Sequence, residues 1–205
     1  MTKVSHRRSA VAAAVLAVGV LLAGCSTSAP QAGAAATLGD TRITETQLTD
    51  QVHAILEAQR QPVDTANAEL TSQALSRMIT IELVNTLAKQ NGVVITQGDI
   101  DQRLTQFDSQ AGGRDQVLKV FAEQGVAPSQ IEDVIRLDLQ AQALGVKLDP
   151  HGSAEQQGAA VVNAVTKLSN DLNVTTSPRF GTWDAVALKI APGGSDLTAP
   201  PALAQ

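Results

Sequence analysis

Between Thr71 and Gln90 apolar side chains recur on more of a helix surface than one neighbour can cover. Leu75, Met78, Ile79, Ile81, Leu83, Val84 and Leu87 form this stripe at helical spacing. A surface helix keeps one apolar face, whereas a helix with so wide a stripe is packed from several sides. The spacing therefore predicts a central helix from about Thr71 to Gln90 and a chain that is mainly α. Asn91-Gly92 ends it, because glycine accepts the left-handed geometry of a helix C-terminus without a side-chain clash.

The flanking segments carry narrower stripes. Thr44-Glu45-Thr46-Gln47 reads as a capping box opening a helix with Leu48, Val52, Ile55 and Leu56 on one face. Ile100, Leu104 and Phe107 make a second stripe. Val117, Leu118 and Phe121 make a third, after the Gly112-Gly113 break. Ile131, Val134, Ile135, Leu137, Leu139 and Leu144 make a broader one. Ser153 and Gln156 could cap a last helix with Val161, Val165, Leu168 and Leu172 inward. One arrangement recurs: Gly92-Val93 then Thr96, Gly125-Val126 then Ser129, Gly145-Val146 then Asp149. Each predicts a helix stop and then a new N-cap. The spacings between these joints differ, which excludes a solenoid of fixed repeat.

Strand signals are few. Val186, Leu188 and Ile190 alternate within Ala185–Ile190, and Thr37-Leu38 and Arg42-Ile43 are the other strand-like places. A lone edge would stay unpaired. The expectation is a small two-stranded sheet joining the two ends of a helical domain over residues 37–190.

The first residues read differently. Lys3, His6, Arg7 and Arg8 precede an uncharged run from Ser9 to Gly24. That run is shorter than the about 20 residues of a membrane-spanning helix, and it matches the apolar region of an export signal. It ends in Leu22-Ala23-Gly24-Cys25, and Ser26-Thr27-Ser28 come next. The stretch resembles the signal and lipobox of bacterial lipoproteins. That resemblance implies cleavage between Gly24 and Cys25 and a diacylglyceryl group on the Cys25 sulfur. The plainer alternatives are a structural cysteine or a signal cut elsewhere. Residues 1–24 are thus expected to be a signal peptide and 25–36 a lipidated, flexible tether. Residues 191–205, rich in Pro and Gly, read as a disordered tail. Loss of Lys3, Arg7 and Arg8 with the signal would take the formal charge from -5 to -8.

Composition narrows the chemistry. The single Cys excludes an intramolecular disulfide, and no Cys/His spacing suits a zinc site. An acidic chain without basic runs is a poor ligand for nucleic acid. Three Phe, one Trp and no Tyr leave little for stacking platforms. His53 stands one turn from Glu57, a spacing usual for a surface pair, and His151 lies in a Gly/Pro turn without acidic neighbours. There is no phosphate loop, nucleophile elbow or calcium loop. No enzyme activity, metal or cofactor is expected. Met78 could be a soft contact for an apolar client, though filling the core is the simpler role.

Two stretches carry a further resemblance. The first runs from Ala74-Leu75-Ser76-Arg77-Met78-Ile79 through Ala88-Lys89-Gln90-Asn91-Gly92-Val93 to Thr96, Asp99-Ile100 and Leu104. It resumes at Phe121-Ala122-Glu123-Gln124-Gly125-Val126 and continues over Ile131 to Arg136. It resembles the helical N-terminal chaperone domain of the SurA and PrsA type foldases. The second is Ser177-Pro178-Arg179-Phe180-Gly181-Thr182-Trp183-Asp184. It is similar to an Asn-Pro-Arg-Tyr-Gly-x-Trp-Asp segment of actinobacterial lipoproteins in that group. Pro178, Arg179, Gly181, Trp183 and Asp184 match it, while Ser177 replaces its Asn and Phe180 its Tyr. On residues alone, Pro178 and Gly181 make a turn and Trp183 an anchor on the helices.

The resemblance implies a domain that cradles unfolded exported chains, with a C-terminal strand returning to the N-terminal one. The short stretch between Leu144 and Ala159 leaves no room for the prolyl isomerase domain of larger foldases. The expected partners are exported polypeptide clients, or one fixed envelope protein. The expected location is outside the cytoplasm, at a membrane through the lipid. A carrier of an apolar small molecule is a third reading. Periodicity cannot separate a client groove from a fixed interface.

Overall fold

The computed structural model describes residues 33–191. Cys25 and Gly24, with the rest of the expected signal and most of the tether, lie outside the described residues, as does the tail beyond Ala191.

The chain enters as a hairpin. β1 (Ala34–Leu38) and β2 (Thr41–Thr44) pair antiparallel, and Gly39 makes the turn at φ +56°. Ala35 and Ala36 are buried, so their small side chains let the strand lie close against the helices. Two residues expected in the tether thus belong to the core, and the folded segment starts earlier than residue 37.

Thr44 ends β2 and caps α1 (Glu45–Ala58). Its Oγ1 accepts from Gln47 N at 3.1 Å, and Gln47 Oε1 accepts from Thr44 N at 2.8 Å. Leu48, Val52, Ile55 and Leu56 are buried, as their spacing requires. α2 (Ala68–Gln90) begins three residues before the expected start at Thr71, because Asn67 Oδ1 accepts from Leu70 N at 2.9 Å. It is the central helix, packed by α1, by β1 and by later elements. Gly92 takes φ +63°. Val93 N then donates to Ala88 O at 2.9 Å, and Gly92 N donates to Lys89 O at 3.1 Å, which satisfies the last carbonyls of α2.

Thr96 and Asp99 form the expected capping box for α3 (Gln97–Ala111), and Gly112-Gly113 breaks to α4 (Arg114–Glu123). Gly125 repeats the stop of Gly92. Ser129 does not cap the next helix. Pro128–Gln130 forms a 3-10 turn, and α5 (Ile131–Leu148) starts from Gln130 without a side-chain cap. Pro128, at the first position of the turn, holds the chain in a tighter helix before α5 starts. The third joint also differs. α5 runs through Gly145, and α6 (Ala154–Asp171) is capped by Ser153 with Gln156. Gly145 is a packing residue: a Cβ there would stand 3.0 Å from the Gln157 Cβ of α6.

The return strand is not Ala185–Ile190. β3 (Thr175–Thr176) pairs with β1, giving a three-stranded sheet of order β2-β1-β3 in place of a two-stranded one. β4 (Thr182–Asp184) and β5 (Lys189–Ala191) form a separate hairpin. Asp184 Oδ1 accepts from Val186 N and Ala187 N, each at 2.9 Å, and Leu188 takes φ +50°. The alternating segment is therefore folded back on itself, with Val186 exposed and Ile190 buried.

Buried side chains form two clusters. The larger joins the sheet, α1, α2, α6 and the C-terminal half of α5. The smaller joins Ile100, Leu104, Val117, Val126, Ile131 and Ile135, from α3, α4 and the start of α5. α5 is shared: its first turns face one core, and Leu144 with Gly145 faces the other.

Candidate functional site

The segment Pro178–Asp184 is tied down along its length. Pro178–Phe180 forms a 3-10 turn, and Gly181 at φ +106° redirects the chain. Arg179 reaches Glu45 at 3.1 Å and lies over the Phe180 ring at 4.5 Å. Trp183 Nε1 donates to Ser169 Oγ of α6 at 2.7 Å. Ile190 N donates to Ser76 Oγ of α2 at 2.9 Å, and Thr166 Oγ1 donates to Ala185 O at 3.0 Å. Two backbone N–H groups on the Asp184 carboxylate hold its pKa below the ordinary value. The segment is a brace across the helices, and its polar groups are spent on holding it there.

Among the hollows of the described residues, two lie beside residues that the sequence singles out. The first lies between α3, α4 and the start of α5, with a volume of about 420 Å³. Phe107, Val117, Val120, Phe121, Val134 and Ile135 line it, and Gln110, Gln124 and Asp138 add polar groups. Phe107 and Phe121 meet edge to face at 6.1 Å. Arg103 sits 5.9 Å over Phe107 and pairs with Asp138 at 2.8 Å. Apolar spacing reveals Phe107 and Phe121 but misses Val120, which is 45% exposed. Its signal is the run Val117, Val120, Phe121, Gln124, at helical intervals.

The α3–α4 turn is pinned by charge. Arg114 donates through Nε and Nη2 to the Asp108 carboxylate, at 2.8 to 3.0 Å. This lowers the Asp108 pKa and raises that of Arg114. The far end of α4 is held by the larger core. Gln59 Nε2 donates to Ala122 O at 2.8 Å, and Arg77 donates to Gln124 O at 3.0 Å and to Gly125 O. Partial burial lowers the Arg77 pKa. Ala122 O also accepts from Gly125 N at 3.0 Å, whereas Arg77 supplies a donor to the Gln124 and Gly125 carbonyls just past the helix end. In the sequence Arg77 shows only as one position of a longer pattern, with no sign of this role.

The second hollow, about 680 Å³, lies between β2, α1, α2 and the start of α5. Met78 and Ile81 line it beside Ala54. Met78 thus both packs on the core and opens on a hollow.

No group of three His, Cys, Asp or Glu is placed to hold a metal ion among the described residues. Nor is any helix among them long and apolar enough to cross a membrane. The sequence pattern of the SurA-like N-terminal domain matches residues 3–145, and the chain belongs to that family. Domains of this family are non-catalytic chaperone modules, associated with proteins outside the cytoplasm. The match ends inside α5, so α6 and the brace lie beyond it. No curated protein and no solved structure matches the chain.

Proposed function

We propose that the chain is an extracytoplasmic holdase, anchored to a membrane through a lipid on Cys25, that shields apolar stretches of unfolded exported polypeptides. The observation that carries this is the hollow between α3, α4 and α5. It is lined mainly by apolar side chains, yet Val120 stands 45% exposed at it. An apolar concavity with a few polar groups fits side chains of a client without demanding one sequence. This reading involves no isomerase inserted between α5 and α6, which residues 149–153 join directly. The lipid would place the hollow where exported chains emerge, raising local concentration without strengthening the contact. Signal cleavage before Cys25 and a tether ending near Gly33 complete the organisation.

The test is suppression of aggregation of several unrelated unfolded proteins by the full chain. Val120→Asp should abolish most of it without loss of thermal stability, because Val120 is at the surface. Photo-crosslinking from position 120 in the envelope should yield many partners. A single recurrent partner, with no suppression of aggregation, would make the chain a subunit of one assembly and sink the holdase reading. The lipid is checked by mass: the mature chain should begin at Cys25 and carry acyl groups, and Cys25→Ser should release it from the membrane.

A further inference from the structure

The hollow between α3, α4 and the start of α5 lies close to the point where the C-terminal tail leaves the folded residues. Ile190 N donates to Ser76 Oγ of α2 at 2.9 Å. The next residue of α2, Arg77, donates through Nη2 to Gln124 O at 3.0 Å, and Gln124 lines the hollow. The path from Ile190 N to Gln124 O is thus two hydrogen bonds, one Cα–Cα step and two side chains, no more than roughly 20 Å. Residues 192–205 follow Ala191. At about 3.3 Å per extended residue, Ala199 can stand about 26 Å beyond Ala191 and Leu203 about 40 Å. The tail can therefore reach the hollow with residues to spare for passing round the helices.

The composition of the tail fits what the hollow offers. Pro192-Gly193-Gly194-Ser195-Asp196 has the composition of a linker. Leu197 to Gln205 carries no charged side chain and holds Leu197, Pro200, Pro201 and Leu203. A Pro-Pro pair favours the polyproline II conformation, whose carbonyls have no internal partners. Segments of this kind dock in aromatic-lined grooves because little entropy is lost on binding. Phe107 and Phe121, edge to face at 6.1 Å, line the hollow, and Val120 is exposed at it. The side-chain amides of Gln110 and Gln124 can donate to carbonyls of an extended segment there. Charge agrees as well. Asp138 is the one carboxylate lining this hollow, and it is paired with Arg103 at 2.8 Å, so an uncharged segment leaves no charge unmatched.

We infer that residues 197–205 fold back into the α3–α5 hollow of their own chain and occupy it until a client displaces them. This rests on the holdase reading and names how the same site is regulated. A short linker sets the effective concentration of the tail at about 1 mM, so a contact with a dissociation constant of only about 0.1 mM fills about nine hollows in ten. Apparent client affinity scales with the fraction of open hollows, so clients would bind about tenfold more weakly than to a tail-free hollow. Segments with few apolar side chains would then be excluded, and long unfolded stretches would compete.

Two measurements on the full chain test this. In the first, the photo-crosslinker benzoylphenylalanine stands in place of Leu203, and the chain is irradiated without client. Mass spectrometry should find crosslinks within one chain from position 203 to α3, α4 or the first turns of α5, and Val120→Asp should remove them. In the second, a short fluorescein-labelled peptide of leucines and serines is the probe, read by fluorescence anisotropy. The chain carrying Leu197→Asp with Leu203→Asp should bind it roughly tenfold tighter than the unsubstituted chain. Val120→Asp should weaken the probe in both backgrounds. Absence of the crosslink, or equal or weaker probe binding after the tail substitutions, overturns the inference. So do crosslinks that join two chains and grow with protein concentration, which would place the tail in a second copy. In each of these cases the holdase reading stands if Val120→Asp still weakens the probe. If the probe binds neither form and aggregation is not suppressed, both fall.

Discussion

Trp183 is the chain's one indole, and its N–H is spent on Ser169 Oγ at 2.7 Å, a residue only 1% exposed. The two members of this bond are not equivalent. Ser169→Ala leaves a half-buried indole N–H without a partner, at a cost of about 1–3 kcal/mol. Trp183→Phe removes the donor, and the serine hydroxyl can turn back to a carbonyl one helical turn earlier. Its cost should come from lost ring contact. Urea unfolding of the two variants and their double mutant separates these terms: the double mutant should cost less than the sum. Strict additivity would mean that the bond contributes nothing.

Charge at single residues gives a second expectation. Asp99, Asp108 and Asp184 all have pKa values below the ordinary one, held there first by hydrogen bonds from Thr96, from Arg114 and from the 186–187 backbone respectively. A carboxylate whose pKa is lower in the folded state stabilises that state above its unfolded pKa. The stabilisation fades as pH falls through the folded value. Thermal stability should therefore decline as pH drops below about 4, the ordinary carboxylate value. Asp108→Asn should flatten part of that decline. An unchanged slope would show that the Arg114 pair does not couple to folding.

At the level of elements, helix ends provide the sharper test of what local sequence dictates. Ser153 accepts from Gln156 N at 3.3 Å and Gln156 Oε1 accepts from Ser153 N at 2.7 Å, so Ser153→Ala should cost about 1 kcal/mol. Ser129, with the same look in sequence, sits inside a 3-10 turn and caps nothing, so Ser129→Ala should change stability by less than about 0.5 kcal/mol. Denaturant midpoints measured side by side decide this, and equal losses would contradict the assigned start of α5. The contrast explains which elements are legible in sequence. Helix cores and the caps at Thr44, Thr96 and Ser153 depend on contacts within four residues, and local pattern suffices for them. Gly145 looks like a stop but packs against Gln157, a contact made by tertiary structure. Val186, Leu188 and Ile190 alternate like a strand, yet the Asp184 side chain captures the backbone of residues 186–187 and turns it. The pairing of β3 with β1 spans most of the domain, and Thr175-Thr176 carries no local sign of it. The hollows are less legible still. Phe107 and Phe121 stand out as apolar, but Gln110 and Gln124 read as solvated glutamines. Only packing brings them to a hollow.

For the described residues taken together, the separation into two cores sets the expected order of opening. The α3–α4 pair buries its side chains with the start of α5, and it has few ties to the larger core. Arg77 supplies a main one, reaching the carbonyls of Gln124 and Gly125 from the central helix. Gln59 adds a second at Ala122. Regions with few buried contacts open at lower free energy than the global transition. Arg77→Ala should therefore lower amide exchange protection in α3 and α4 by roughly tenfold, while the innermost amides of α2 and α6 keep theirs. Arg77→Lys should recover only part, because one ammonium lacks the planar fork that holds two carbonyls together. Uniform loss across all helices would mean that both cores open as a single unit, with Arg77 contributing to global stability alone. Selective loss would make the α3–α5 hollow adjustable in width while the larger core around α2 stays closed.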